Sequence, residues 1–235
     1  MAVILQNRLV ADDFWMMQVE ADNAAAGGQF YMLRAWEQYP VLSRPISVFD
    51  ADGKTVRFLY KVVGQGTEHF TTLKPGDQIK LDGPHGNGFP DAQGNIALVG
   101  GGVGIAPLYL LAKELKKRHP DSTVDIYLGF SGQPMLVEEY EKTADRVTVN
   151  VGGFVTDDID PIQYDVIMTC GPEIMMKVLY KKCVDTGAKA KVYVSMENRM
   201  ACGIGACLVC TCKTKSGNKR ACKDGPVMEG WEVFG

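Results

Sequence analysis

The 235 residues are 46% hydrophobic and 23% charged, which excludes a disordered or fibrous chain and leaves room for one large domain or two modest ones. A net charge of −3, from 25 basic and 28 acidic residues, offers no broad basic face for nucleic acid. The start, MAVILQNRLVADD, lacks a basic leader and does not read as a signal peptide, so a cytoplasmic chain is expected.

Residues 1–92 read as short strands around Phe14–Val19, Gln29–Leu33, Ile46–Phe49, Thr55–Val63 and Gln78–Leu81. Turn signals separate them at Ala51-Asp52-Gly53, Lys74-Pro75-Gly76-Asp77 and Asp82-Gly83-Pro84, a pattern that predicts a small antiparallel barrel or sandwich. From about Asn95 the rhythm changes. Ile96–Val99, Val124–Phe130, Val147–Val151 and Tyr164–Thr169 are apolar strands, while Pro107–Arg118 and Ile174–Thr186 have helical periodicity. Strand and helix in alternation predict a parallel sheet covered by helices. The uncharged run Ile96–Ala112 is too short and glycine-broken for a membrane span and reads as strand, turn and helix. The final segment, from Lys191, is dense in Cys and Gly and too short for its own core, so the cysteines are expected to hold it together.

Seven cysteines, an odd number without an export signal, argue against a disulfide framework. Cys202, Cys207, Cys210 and Cys222 have the C-x4-C-x2-C…C spacing of plant-type [2Fe–2S] ligands. Two irons need two thiolates each, and Gly203 and Gly205 allow the loop to curl so that N–H groups face the sulfurs. A structural zinc site is the alternative, with Cys207–Cys210 as its one fitting C-x2-C pair. Cys212 could replace Cys210, although the spacing favours Cys210.

Gly100-Gly101-Gly102-Val103-Gly104, between a strand and a helix, suits either a phosphate-facing turn or a tight packing turn; it does not match G-x-G-x-x-G. Cys170-Gly171-Pro172 follows another strand, at the edge where open α/β sheets bind ligands. In the barrel segment, Arg44 precedes Ser47 by three residues, a pattern that can clamp a diphosphate and bond a ring nitrogen, or be a surface Arg and a strand Ser. Gly64-Gln65-Gly66-Thr67 and Gly83–Phe89 could each be an ordinary hairpin turn. His69, His85 and His119 show no ligand spacing, and Met168, Met175 and Met176 read as core.

In order, RPIS (44–47), VVGQGT (62–67), GPHGNGF (83–89), GGGVGIAPL (100–108), CGPEIMM (170–176), MENRMACGIGACLVC (196–210) and CKDGPV (222–227) make nearly the whole chain resemble the ferredoxin reductase superfamily. More narrowly, the motif order resembles that of the electron-transfer subunits of class 1B, NAD-dependent dihydroorotate dehydrogenase. The resemblance implies an FAD-binding antiparallel β-barrel at 1–92, a parallel-sheet NAD-binding α/β domain at 93–190 and a small [2Fe–2S] segment at 191–235. It assigns Arg44, Pro45, Ile46 and Ser47 to FAD, with Leu59, Tyr60, Lys61, Gly66 and Thr67 completing that site. It assigns Gly101, Gly102 and Gly104 to the nicotinamide nucleotide, with Cys170, Gly171 and Pro172 beside the nicotinamide, and Cys202, Cys207, Cys210 and Cys222 to the cluster. The implied partner is an FMN-containing catalytic subunit in a heterotetramer of pyrimidine biosynthesis, with electrons passing through the cluster and FAD to NAD+. Ser131-Gly132-Gln133, after the strand Val124–Phe130, offers no Arg or Lys to a 2′-phosphate, which favours NAD over NADP. A flavin and iron–sulfur reductase subunit of a hydrogenase or ferredoxin:NADP reductase type is the alternative partner reading, and a zinc-stabilised binding module the non-enzymatic one.

Overall fold

In the computed structural model, which describes residues 1–235, the chain begins with β1 (Ala2–Ala11), β2 (Phe14–Glu20), β3 (Phe30–Arg34), β4 (Arg44–Ala51) and β5 (Thr55–Lys61). A short helix, α1 (Gln65–Thr71), and β6 (Gln78–His85) follow. The strands close into an antiparallel barrel in the order β1-β2-β5-β4-β3-β6, so no open edge remains. The period-two alternation explains the filling. Along β5, Val56, Phe58 and Tyr60 turn into the barrel, while Leu59 joins the core shared with the second layer.

The second unit comprises β7 (Asn95–Gly101), a 3-10 turn (Gly102–Ile105), α2 (Ala106–Arg118), β8 (Thr123–Phe130), α3 (Val137–Glu141) and β9 (Arg146–Val151). It continues through β10 (Val166–Cys170), α4 (Glu173–Asp185) and β11 (Lys191–Ser195). After the cysteine loop come a hairpin of β12 (Thr211–Thr214) and β13 (Gly217–Arg220), then β14 (Val227–Glu229) and α5 (Gly230–Phe234). The main sheet runs β14-β11-β10-β7-β8-β9, parallel except for β14, which pairs antiparallel with β11. The expected barrel, parallel sheet and C-terminal segment are therefore all present. No helix is long and apolar enough to cross a membrane; the Ile96–Ala112 run divides into β7, the 3-10 turn and the start of α2.

Three expectations need correction. Asp82-Gly83-Pro84 is not a turn: β6 runs through it, and a Cβ on Gly83 would lie 2.8 Å from the Tyr31 ring, so the glycine serves close approach. Gly64-Gln65-Gly66-Thr67 is not a hairpin but the entry to α1, with Thr67 folding back on Gly64. The residues after 190 are held by more than cysteines. β11 and β14 extend the main sheet, and Cys210, Cys212, Ala221, Cys222 and Met228 pack in one core with Phe30 and Met32 of the barrel.

Candidate functional site

β7 lies between β8 and β10, so the chain leaves it in one direction to build β8 and β9 and returns on its other side for β10 and β11. That reversal is a switch point, where the carboxyl ends of neighbouring strands part and open a crevice. Gly100 and Cys170 are register partners there, which brings the glycine turn against Cys170-Gly171-Pro172. The glycines divide the work. A Cβ on Gly104 would lie 2.5 Å from the Cys170 carbonyl oxygen, and one on Gly101 2.7 Å from Met175 Sδ, so both permit tight packing. Gly102 has φ +56° and nothing within 4 Å of its would-be Cβ, leaving open space over the turn. The tight packing that the sequence posed as one alternative is thus present, beside open space over Gly102. Gly104→Ala is expected to overpack this contact at a cost of about 1–3 kcal/mol, lowering the melting temperature by roughly 3–10 °C in calorimetry.

Cys170 is buried, and its Sγ lies 3.8 Å from Glu197 Oε1. Burial, and then the Glu197 charge, hold the thiol well above its usual range, so it stays protonated at neutral pH. Glu197 keeps one side open to solvent, while partial burial raises its carboxyl. Sequence reasoning missed Glu197; its signal is a position two residues beyond Ser195, at the carboxyl end of β11.

At the start of β4, the Arg44 guanidinium lies 5.4 Å from the Trp36 ring centroid and its Nη1 donates to the Leu42 carbonyl at 2.6 Å. It makes no ion pair, so its charge is uncompensated by any carboxylate. Gly66 sits directly beneath: a Cβ there would collide with Arg44 Nε. Thr67 Oγ1 accepts from the N–H of Val63 at 2.9 Å and of Gly64 at 3.2 Å, fixing the start of α1. Arg44 and Gly66 are thus brought together, with Thr67 next in the chain. Pro45, Ile46 and Ser47 follow on the same strand, opposite Met32, Tyr31 and Phe30. The β5 residues are placed differently. Leu59 and Tyr60 are each 1% exposed, and Tyr60 donates its hydroxyl to Asn7 Oδ1 at 3.1 Å. Lys61 turns outward, 3.5 Å from Asp13 Oδ2. Trp36, the platform under Arg44, was not legible in the sequence.

The cysteine loop curls through Gly203 at φ +73° and Gly205 at φ +85°. A Cβ on Gly203 would lie 2.7 Å from Met32 Cγ, so the glycine also seats the loop on the barrel. The thiols fall into two pairs. The Cys207 N–H donates to Cys202 Sγ at 3.4 Å, and the Cys222 N–H donates to Cys210 Sγ at 3.4 Å. The N–H groups of Cys207 and Ile204 pull the Cys202 thiol down to about 6, whereas burial and Cys210 push that of Cys222 up to about 12. Two pairs with N–H groups aimed at the sulfurs suit a two-iron cluster, which takes two thiolates per iron. Cys212 is buried on β12 and accepts from Asn198 Nδ2 at 3.2 Å. The loop is fastened by Arg220, which bonds Asp224 at 2.8 and 2.9 Å and donates to the Gly205 carbonyl at 3.1 Å. That pairing holds the Asp224 carboxyl down to about 2.

Comparison with known proteins agrees with this geometry. The profile of the iron–sulfur cluster binding domain of dihydroorotate dehydrogenase B matches residues 197–234. The electron transfer subunit of dihydroorotate dehydrogenase B (NAD(+)) from Clostridium acetobutylicum is 46% identical over 98% of this chain and 95% of its own length. The corresponding subunit from Clostridium perfringens is 45% identical, over 98% and 96%. Among solved structures, one of the NADH-dependent reduced ferredoxin-NADP oxidoreductase, described for flavin-based electron bifurcation, matches with a TM-score of 0.89 and 31% identity. It covers 99% of this chain and 89% of that one. A Neisseria gonorrhoeae ferredoxin NADP+ reductase with bound FAD and NADP, at 18% identity and a TM-score of 0.67 over 83% and 98% of the two chains, shares the fold.

Proposed function

The chain belongs to the family of dihydroorotate dehydrogenase B (NAD(+)) electron transfer subunits, and from this membership and the three adjoining sites we infer that it relays electrons between a dihydroorotate-oxidising catalytic subunit and NAD+. Bound FAD exchanges either single electrons or a hydride, a [2Fe–2S] cluster single electrons, and nicotinamide a hydride, so together these groups connect a one-electron carrier to a two-electron one.

The residues supply place and electrostatics. Arg44 meets the FAD diphosphate, Ser47 lies near the flavin ring with Pro45 and Ile46 beside it, and Leu59, Tyr60 and Lys61, with Gly66 and Thr67, complete the site. Gly101, Gly102 and Gly104 cradle the nicotinamide nucleotide, and Cys170, Gly171 and Pro172 bound the nicotinamide. Cys202, Cys207, Cys210 and Cys222 hold the cluster. The observation that carries the reading is contiguity. The loop of the paired thiols packs on Met32 of the barrel, and β14, beyond the β12–β13 hairpin that follows the loop, pairs with β11 of the nucleotide sheet. On this reading the partner carries FMN, the assembly is a cytoplasmic heterotetramer with two copies of each subunit, and the nucleotide is NAD rather than NADP.

The test combines the purified chain with the catalytic subunit and follows NAD+ reduction. Dihydroorotate-dependent NADH formation that requires both subunits is expected. Coupling to reduced ferredoxin with none to dihydroorotate would favour the second reading, a ferredoxin-linked reductase subunit, which the 31% identity to the bifurcating oxidoreductase supports.

A further inference from the structure

Where the barrel meets the nucleotide unit, β4 and β5 face α2 and α3 across a small aromatic and ionic network. Phe49 stacks on Tyr109 with centroids 4.5 Å apart and planes 7° from parallel. The Arg57 guanidinium lies over both rings, 4.9 Å from the Phe49 centroid and 5.3 Å from that of Tyr109. One end of Arg57 pairs with Asp50 of the barrel at 2.9 Å, the other with Glu139 of α3 at 2.9 Å. Lys113 of α2 closes the ring on Asp50 at 2.5 Å. Tyr140, next to Glu139 and fully buried, sets its edge against both rings and donates its hydroxyl to the Ile105 carbonyl at 2.7 Å.

The ends of this network are informative. Asp50 stands three residues beyond Ser47 on β4, and Arg57 two residues before Leu59 on β5. Ile105 is the last residue of the turn that starts at Gly102. The contacts therefore tie the two strands assigned to FAD to the turn assigned to the nicotinamide nucleotide. Cohesion alone does not call for this chemistry. The side chains of Arg57, Asp50 and Glu139 are 22, 15 and 23% exposed, and partly buried ion pairs return little net stability once desolvation is counted. Apolar side chains of similar volume would hold the units together as well. What a fixed fork between two carboxylates adds is direction. Intrachain domain interfaces otherwise permit relative motion, and a hydride passes efficiently only when its donor and acceptor lie about 3–3.5 Å apart.

We propose that Arg57, held between Asp50 and Glu139 over the Phe49–Tyr109 stack, is a positioning residue that sets the flavin barrel against the nucleotide unit for hydride transfer. The proposal rests on the FAD and NAD reading above.

The test uses the FAD-loaded full chain. In Arg57→Met, which keeps length and packing, FAD content and the NADH dissociation constant should stay within about threefold of wild type, while flavin reduction by NADH in rapid mixing slows about 10- to 100-fold. Arg57→Lys should not restore the rate, because a point charge cannot span both carboxylates. Hydrogen exchange across Gly102–Leu108, measured without nucleotide, should quicken in Arg57→Met. With FAD retained, a reduction rate within about threefold of wild type or unchanged exchange would overturn the proposal. If Arg57→Met does not retain FAD, Glu139→Gln decides on the same criteria. Failure of the parent reading is distinct: wild-type flavin would then not be reduced by NADH at all, and both readings fall.

Discussion

Cys207→Ser should abolish electron delivery to the partner subunit while leaving NADH oxidation with an artificial acceptor intact. The structure explains why the two activities separate. Cys207 is exposed, and the bond that organises its neighbour runs from its backbone N–H to Cys202 Sγ. Serine keeps that N–H, so the loop should fold, but it removes one of the thiolates that the irons require. Partner-linked turnover is expected to fall by roughly 100-fold or more, since even outer-shell changes cost metal sites 10- to 100-fold. Acceptor-linked NADH oxidation should stay within about twofold, because Arg44 and the glycine turn lie outside the cysteine loop. Loss of both activities together, in a chain of unchanged melting temperature and FAD content, would contradict the division of labour.

Arg44→Ala should release FAD. A charge-assisted bond to a phosphate contributes about 1.5–3 kcal/mol, which corresponds to roughly 10- to 150-fold in dissociation constant. The structure adds a reason to expect the upper part of that range: Arg44 has no carboxylate partner that a phosphate would have to displace, and Gly66 and Trp36 pack closely against it and hold it in place. Arg44→Lys should recover part of the affinity, since it restores charge but not the planar fork or the stacking on Trp36. Flavin fluorescence after dialysis reads the effect, and full retention of FAD in Arg44→Ala would remove Arg44 from the diphosphate site.

These expectations draw on features of uneven legibility. The barrel and the parallel sheet could be read because turn residues and apolar periods mark most strands. β1 escaped because its middle, Leu5 to Leu9, is largely exposed and does not alternate cleanly. α1 escaped because its two glycines look like a hairpin, and only the return of Thr67 to Gly64 makes them a helix entry. β14, three residues long, is below what periodicity can detect; its place depends on pairing with β11. The cysteine spacing reads as chemistry, whereas the bond from Asn198 to Cys212 depends on the folding of β12, which spacing does not show. Trp36, Glu197, Asn198 and Arg220 were missed for one reason. Each acts through a partner brought close by tertiary folding, and no local pattern announces such contacts.

Binding of two irons by paired sulfurs near the carboxyl end is tested most directly by quantifying metal in Cys210→Ser and Cys212→Ser beside the wild-type chain, all purified without oxygen. Wild type and Cys212→Ser should each hold about two irons and two sulfides with a paramagnetic signal on reduction, and Cys210→Ser should hold none. Stoichiometric zinc in the wild type, or seven titratable thiols with no iron, would contradict it.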